Sequence, residues 1–270
     1  MHQATYDLFR KMIQDAGGIA LGDDKIPLLR SRIRGRMTKL KLDTPEQYLK
    51  QIREDESGRE LTHLIDSIAT NYTFFFREEQ HFNSLKNHVI KLLRKGQKKL
   101  RVWSAACSSG EEPYTIAMVV RSAIMELGAR DVDAKILATD ISTKILREAV
   151  AGIYRNEQIS RVPPALQQKY FKPLTSGRRE CVQVCEELRN MVTFRHLNLN
   201  GKTFPMKGPF DAVFCRNVMI YFDEPTRTKL VNRFAHMMAD GAPLYVGMTE
   251  SVMGYCKELP YEEPSVYIKK

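Results

Sequence analysis

The sequence holds no run of about 18 apolar residues, which excludes an obvious membrane-spanning helix, and Met1 to Arg10 lack the apolar core of a secretory leader. Cysteine is scarce. Cys107, Cys181, Cys185, Cys215 and Cys256 are odd in number and give no framework of spacings, which argues against a disulfide-stapled scaffold. Cys181 and Cys185 resemble half a metal site, but no second Cys or His pair completes tetrahedral zinc, so no metal is expected. Internal repeats and low-complexity tracts are missing too. These absences together predict a soluble, cytoplasmic globular protein without membrane insertion.

What is present fits that class. Hydrophobic residues make up 43% and charged residues 27% of 270, enough for one large domain plus a small one, or two modest ones. Acids are outnumbered: 42 Lys and Arg against 32 Asp and Glu leave a net charge of +10. Such an excess steers anionic partners, whether nucleic acid, membrane surface or acidic protein, and charge alone does not choose among them.

The first 80 or so residues read as helices only. Between Lys25 and Lys41, Leu29, Ile33, Met37 and Leu40 follow helical spacing. Arg30, Arg34 and Lys41 then fall on one flank of that stripe, and Arg32, Arg36 and Lys39 on the other. With almost no acid interleaved, the stretch is either a solvated face or a docking surface for an acidic partner, with Arg32 and Arg36 as its central candidates. Thr44 before Pro45 has the form of a helix N-cap.

From Leu100 the pattern changes. Leu100 to Ala106, Lys135 to Asp140, Phe210 to Cys215, Pro243 to Met248 and Val266 to Lys269 read as strands. Helical runs lie between them at Glu111 to Leu127, from Ser142 to about Ala151, and from Glu224 to Met238, with Gly241 as the expected stop. This alternation predicts an α/β fold with a parallel, doubly wound sheet. Between Gly152 and His196 it is interrupted by Pro163-Pro164 and Ser176-Gly177, and a small antiparallel excursion is expected there.

Ligands of such sheets bind beyond the carboxyl ends of the strands. Ala105 to Gly110 supplies small residues just before a helix N-terminus, but with Gly110 as its only glycine it is no dinucleotide fingerprint. Glu111 and Glu112 stand where a phosphate would sit and would repel it. A cofactor carrying positive charge, such as S-adenosylmethionine, fits better. Asp140 ends the second strand, 30 residues after Gly110, where it can accept ribose hydroxyls or cap the next helix. Asn198-Leu199 can read an adenine edge, and Arg216-Asn217 can hold an amino-acid moiety.

The stretches TNYTFFFRE (Thr70 to Glu78), WSAACSSGEEPYTIAM (Trp103 to Met118), Gly152-Ile153-Tyr154-Arg155 and FDAVFCRNVMIYF (Phe210 to Phe222) together resemble the CheR-type chemoreceptor glutamate methyltransferases, in order and over essentially the whole chain. The resemblance implies a helical N-terminal domain with linker (residues 1–78). It then implies a Rossmann-like methyltransferase domain (79–270) with a β-subdomain inserted at about 154–196. Carried over by motif, cofactor contacts fall on Asn71, Thr73, Arg77, Glu112, Asp140, Asn198, Leu199, Arg216 and Asn217. Arg77 then fixes a carboxylate of substrate or cofactor. Tyr221 orients the substrate oxygen, although its residue type alone equally suits packing. The implied reaction turns glutamate carboxylates on the helical bundle of a chemoreceptor into methyl esters, leaving S-adenosylhomocysteine. Nucleic acid is not expected as substrate, because Cys215-Arg216-Asn217 is neither an Asn/Asp-Pro-Pro-Tyr nor a Pro-Cys motif. A module that binds S-adenosylhomocysteine without turnover is the other alternative, opposed by Arg77 and Tyr221. In the β-subdomain, Lys172 to Glu180 is shorter and poorer in glycine than the loop with which relatives bind a receptor tether, so tether binding does not follow.

Overall fold

The computed structural model describes residues 3–68, 71–174 and 180–270; Thr70 of the linker motif and residues 175–179 of the short subdomain loop lie outside them. Helices α1 (Gln3–Gly17), α2 (Ile26–Leu40), α3 (Pro45–Glu54) and α4 (Arg59–Ile68) open the chain. Their apolar faces close on one core that includes Tyr6, Phe9, Ile13, Leu29, Ile33, Tyr48 and Leu64. Thr44 caps α3 as expected: the Gln47 amide donates to its Oγ1 at 3.2 Å, and the Gln47 side chain accepts from the Thr44 amide at 3.1 Å, a reciprocal capping box.

Along α2, Leu29 and Ile33 are buried while Arg30, Arg32, Arg34, Lys39 and Lys41 are exposed. Arg36 departs from the expected band. Its guanidinium turns inward and donates to both oxygens of Glu60, at 2.6 and 2.9 Å, and the Tyr48 hydroxyl adds a third bond to Glu60 at 2.7 Å. The i+4 spacing that set Arg36 beside Arg32 also carries it over α4, where the buried Glu60 carboxylate claims it.

After α5 (Glu79–Arg94) strands and helices alternate: β1 (Lys99–Ser104), α6 (Glu111–Glu126), β2 (Asp133–Asp140) and α7 (Thr143–Ala151). The excursion holds β3 (Ile153–Arg155), α8 (Pro164–Tyr170), β4 (Phe171–Pro173), β5 (Cys181–Val184) and α9 (Glu186–Met191). The chain returns with β6 (Val192–His196), β7 (Ala212–Cys215), α10 (Glu224–Met237), β8 (Pro243–Val246), β9 (Tyr261–Glu263) and β10 (Val266–Ile268). The main sheet runs β6-β2-β1-β7-β8-β10-β9, parallel from β6 to β8. Every residue of β7 and β8 is buried, the continuous apolar pattern of strands covered on both faces.

Three expectations need correction. The sheet is not parallel throughout, because β10 and β9 add antiparallel pairs at its edge, and the exposed Tyr261–Glu263 strand carries no apolar run by which to read it. The antiparallel subdomain, β3-β5-β4, closes at Val184 rather than near His196, since Val192–His196 lies in the main sheet, parallel to β2. Gly241 does not stop α10. Met238 is already extended (φ −96°, ψ 146°), and Gly241, with φ of 78°, serves the turn into β8.

Candidate functional site

A cavity of about 510 Å³ opens beyond the carboxyl ends of the parallel strands, within the size range of small-molecule sites. It sits where chain progression reverses between β1 and β7, the place where ligands of open α/β sheets bind. The loops after β1, β2, β6 and β7, the linker at Asn71, Thr73 and Arg77, and the Gly17–Leu28 segment of the helical domain together line it. Asn71, Thr73, Arg77, Glu112, Asp140, Asn198, Leu199, Arg216, Asn217 and Tyr221 all line it. Arg32 and Arg36 do not.

The β1 loop is held in an unusual path. Ser108 (φ 48°) and Gly110 (φ 97°) are both left-handed, a conformation costly for the serine. The Ser108 amide donates to Asp140 Oδ2 at 2.8 Å, and its hydroxyl donates to the Asn71 carbonyl at 3.2 Å, tying loop, second strand and linker together. Asp140 Oδ1 accepts from the Ser142 amide at 2.9 Å. Asp140 is not the cap of α7, since Ser142 caps it with a hydroxyl that accepts from the Ile145 amide at 3.2 Å; Asp140 braces that cap residue and lines the cavity. Burial pushes its pKa up, against the pull of those amides.

Glu112, in the first turn of α6, is buried and accepts from the Ser104 hydroxyl at 2.7 Å. Arg216 reaches it at 3.1 Å and Glu78 at 3.0 Å, and also donates to the Arg77 carbonyl. Burial pushes Glu112 up, with Arg216 opposing. Burial raises Glu78 as well, but Arg216, helped by His81 and the Met248 backbone, brings that carboxyl below its ordinary value. One guanidinium thus serves two carboxylates, of which Glu112 lines the cavity together with Asp140. This excess of buried negative charge fits a cationic ligand, as the ammonium and sulfonium of S-adenosylmethionine require, and disfavours a phosphate.

Two residues are less available than their motifs imply. Each nitrogen of the Arg216 guanidinium already meets a protein acceptor, so this side chain positions Glu112 and Glu78 from the cavity wall it lines. The Asn198 amide donates to the Ala16 carbonyl of α1, and its oxygen accepts from the Asn200 amide at 2.9 Å, so one N–H and one oxygen lone pair of the side chain remain for a ligand of the cavity it lines. By contrast, Arg77 spends one nitrogen on the Tyr72 carbonyl, at 2.8 Å, and keeps donors for the cavity. The Tyr221 hydroxyl has no hydrogen-bond partner among the described residues, although its ring packs partly against the helical core.

Sequence reasoning missed Glu250 and the helical-domain wall. Glu250, buried just after β8, accepts from the amides of Gly247 and Asn217, both at 2.7 Å, and of Ile220, at 3.1 Å. It thereby fixes the left-handed Asn217 (φ 57°) and the turn that carries Tyr221. An acid just beyond a buried strand was a signal open to reading. The Gly17-Gly18 pair that ends α1 was another.

Residues 71–267 match the family model described as CheR methyltransferase, SAM binding domain, and residues 4–69 match that described as CheR methyltransferase, all-alpha domain. The chain is similar to the chemotaxis protein methyltransferase of Borreliella burgdorferi, 40% identical over 96% of this chain and 92% of that one. It is likewise similar to the probable chemotaxis protein methyltransferase of Rhizobium etli, 38% identical over 92% of each chain. The chemotaxis protein methyltransferase of Escherichia coli is 38% identical over 93% of this chain and 85% of its own.

Proposed function

The chain belongs to the CheR methyltransferase family and is an S-adenosylmethionine-dependent methyltransferase of chemotaxis, and on that premise we propose that it esterifies glutamate side chains of a chemoreceptor. The observation that carries this reading is the cavity at the strand ends, where the buried carboxylates Glu112 and Asp140 face a linker that offers Arg77. Bound there, S-adenosylmethionine supplies a methyl group made electrophilic by its sulfonium.

The protein's own part is binding, alignment and exclusion of water. Asp140 accepts from ribose hydroxyls, and Glu112, set by Ser104 and Arg216, faces the ammonium. Arg77 holds a carboxylate, and Asn71, Thr73, Leu199 and Asn217 complete the enclosure. A glutamate carboxylate, with a pKa near 4.3, is ionised at neutral pH and needs no general base. Catalysis then rests on orientation and desolvation. Tyr221, on a turn pinned by Glu250, directs its hydroxyl to the substrate oxygen.

The partner fits as an acidic helical face of the receptor's cytoplasmic bundle. Lys25 and Leu28 line the cavity, so α2 leads away from it and carries Arg30, Arg32 and Arg34 outward, exposed and without ion-pair partners among the described residues. Incubation with cofactor tritiated in the methyl group, receptor cytoplasmic fragments and, separately, RNA tests the reading. Base-labile label on receptor glutamates is the expected result. Label on RNA, or cofactor binding with no transfer to protein, would refute it.

A further inference from the structure

Tyr154, in the Gly152-Ile153-Tyr154-Arg155 stretch, does not line the cavity, yet its hydroxyl donates to the Ser109 carbonyl at 2.7 Å. Ser109 lies between the left-handed Ser108 and Gly110, in the loop whose amide fixes Asp140 and whose hydroxyl holds the linker at Asn71. The ring is 3% exposed and is held edge-on by Phe75 of the linker at 4.9 Å and by Tyr114 of α6 at 6.4 Å. Phe75 in turn meets Phe171 of the subdomain at 5.4 Å. Gly110 bears the mark of this clamp, since a Cβ there would stand 2.9 Å from the Tyr154 oxygen. The inserted β-subdomain therefore reaches the two segments, loop and linker, that wall the cavity.

We propose that Tyr154 is a positioning residue for cofactor binding, through which the β-subdomain holds the Ser108–Gly110 loop in its strained, binding-competent path. The proposal rests on the cavity being the S-adenosylmethionine site. The bond acts on a loop that contacts the cofactor side of the cavity and not on the path of the incoming glutamate, so affinity for cofactor should change and turnover should not. Tyr154 forms one strand pair with Val182, so a cavity-forming change at Val182 loosens the same subdomain without touching the hydroxyl.

Tyr154→Phe keeps the ring and removes one oxygen. Calorimetry with S-adenosylmethionine should give a Kd about tenfold higher, the scale of one buried hydrogen bond. The KM for cofactor should rise in step, with kcat at saturating cofactor within about twofold of wild type. Val182→Ala should lower the thermal midpoint as far or farther while leaving the cofactor Kd unchanged. A Tyr154→Phe Kd within twofold of wild type overturns the proposal, as does a Val182→Ala Kd raised equally, which would reduce the effect to general loosening. Absence of cofactor binding by the wild type would instead bring down the assignment of the cavity.

Discussion

Arg216 and His81 are neighbours in one buried network and differ in what their sequence context discloses. Arg216 sits in a motif that marks it as functional, but the motif does not say that its donors go to Glu78, Glu112 and the Arg77 carbonyl. That allocation depends on β7 ending opposite the linker, a long-range fact. His81 sits in no motif. It is fully buried, with neither ring nitrogen hydrogen-bonded, 5.5 Å from the Tyr245 ring and 3.5 Å from the Glu78 carboxylate. Burial, helped by the charge of Arg216 and opposed by Glu78, pushes its pKa down to about 4. The folded state thus keeps His81 neutral while the unfolded chain takes a proton near pH 6.5. Its contribution to stability is fully present above pH 6.5 and is lost as pH falls from there towards 4. Denaturant titrations should show wild type losing about 2 kcal/mol more than His81→Leu between pH 7 and pH 5. Parallel losses in the two proteins would mean that the ring is solvated or paired in solution.

At the scale of elements, α2 shows both the strength and the limit of periodicity. Its apolar stripe and its boundaries follow from the spacing of Leu29, Ile33, Met37 and Leu40, and the exposed cations fall where that stripe puts them. The same was true of β1, β2 and β7, whose buried runs and following small or polar residues gave the site's floor. What periodicity does not give is the partner across an interface, and Arg36 is lost to Glu60 for that reason. A charge reversal spanning Arg32 and Arg36 would mix docking with folding. The separated substitutions should behave differently. Arg36→Ala leaves Glu60 largely buried without its partner and should cost about 3–5 kcal/mol, seen in chemical unfolding, at an intact Michaelis constant for receptor in the folded fraction. Arg32→Glu should leave stability within about 0.5 kcal/mol and raise the Michaelis constant for receptor severalfold. Added salt should weaken the wild type more than Arg32→Glu, because exposed charges are screened over about 8 Å at physiological ionic strength. An unaltered Michaelis constant for Arg32→Glu would make this helix face merely solvated.

The whole molecule is organised around a seam between the helical domain and the sheet, and the cavity lies along it. Its two halves were legible separately, one from helical stripes and one from strand-helix alternation, but their mutual fit was not. The seam is built of contacts between residues about 200 positions apart in the chain, beyond the reach of local spacing. Asn198 donates to the Ala16 carbonyl, Gln14 donates to Asp223 at 3.1 Å, and the Ala20 amide donates to the Tyr221 carbonyl at 2.7 Å. Gly18 is the pivot. It closes α1 with φ of 73°, its amide bonded to the Gln14 carbonyl at 2.8 Å. A Cβ on it would stand 3.0 Å from Asn200 Cβ and 3.2 Å from the Phe222 ring. Gly18→Ala should therefore pay the left-handed penalty of about 1–2 kcal/mol and push the Gly17–Leu28 wall off the sheet. The thermal midpoint should fall, and the Kd for S-adenosylmethionine should rise with it, because that wall encloses the cavity. Gly35→Ala is the matched control: Gly35 lies inside α2, with nothing within 4 Å of the added carbon. It should stabilise by about 0.5–1 kcal/mol and leave cofactor affinity alone. Calorimetry on both variants decides the matter. A Gly18→Ala protein that is less stable but binds cofactor like wild type would mean that the helical domain covers the site without shaping it.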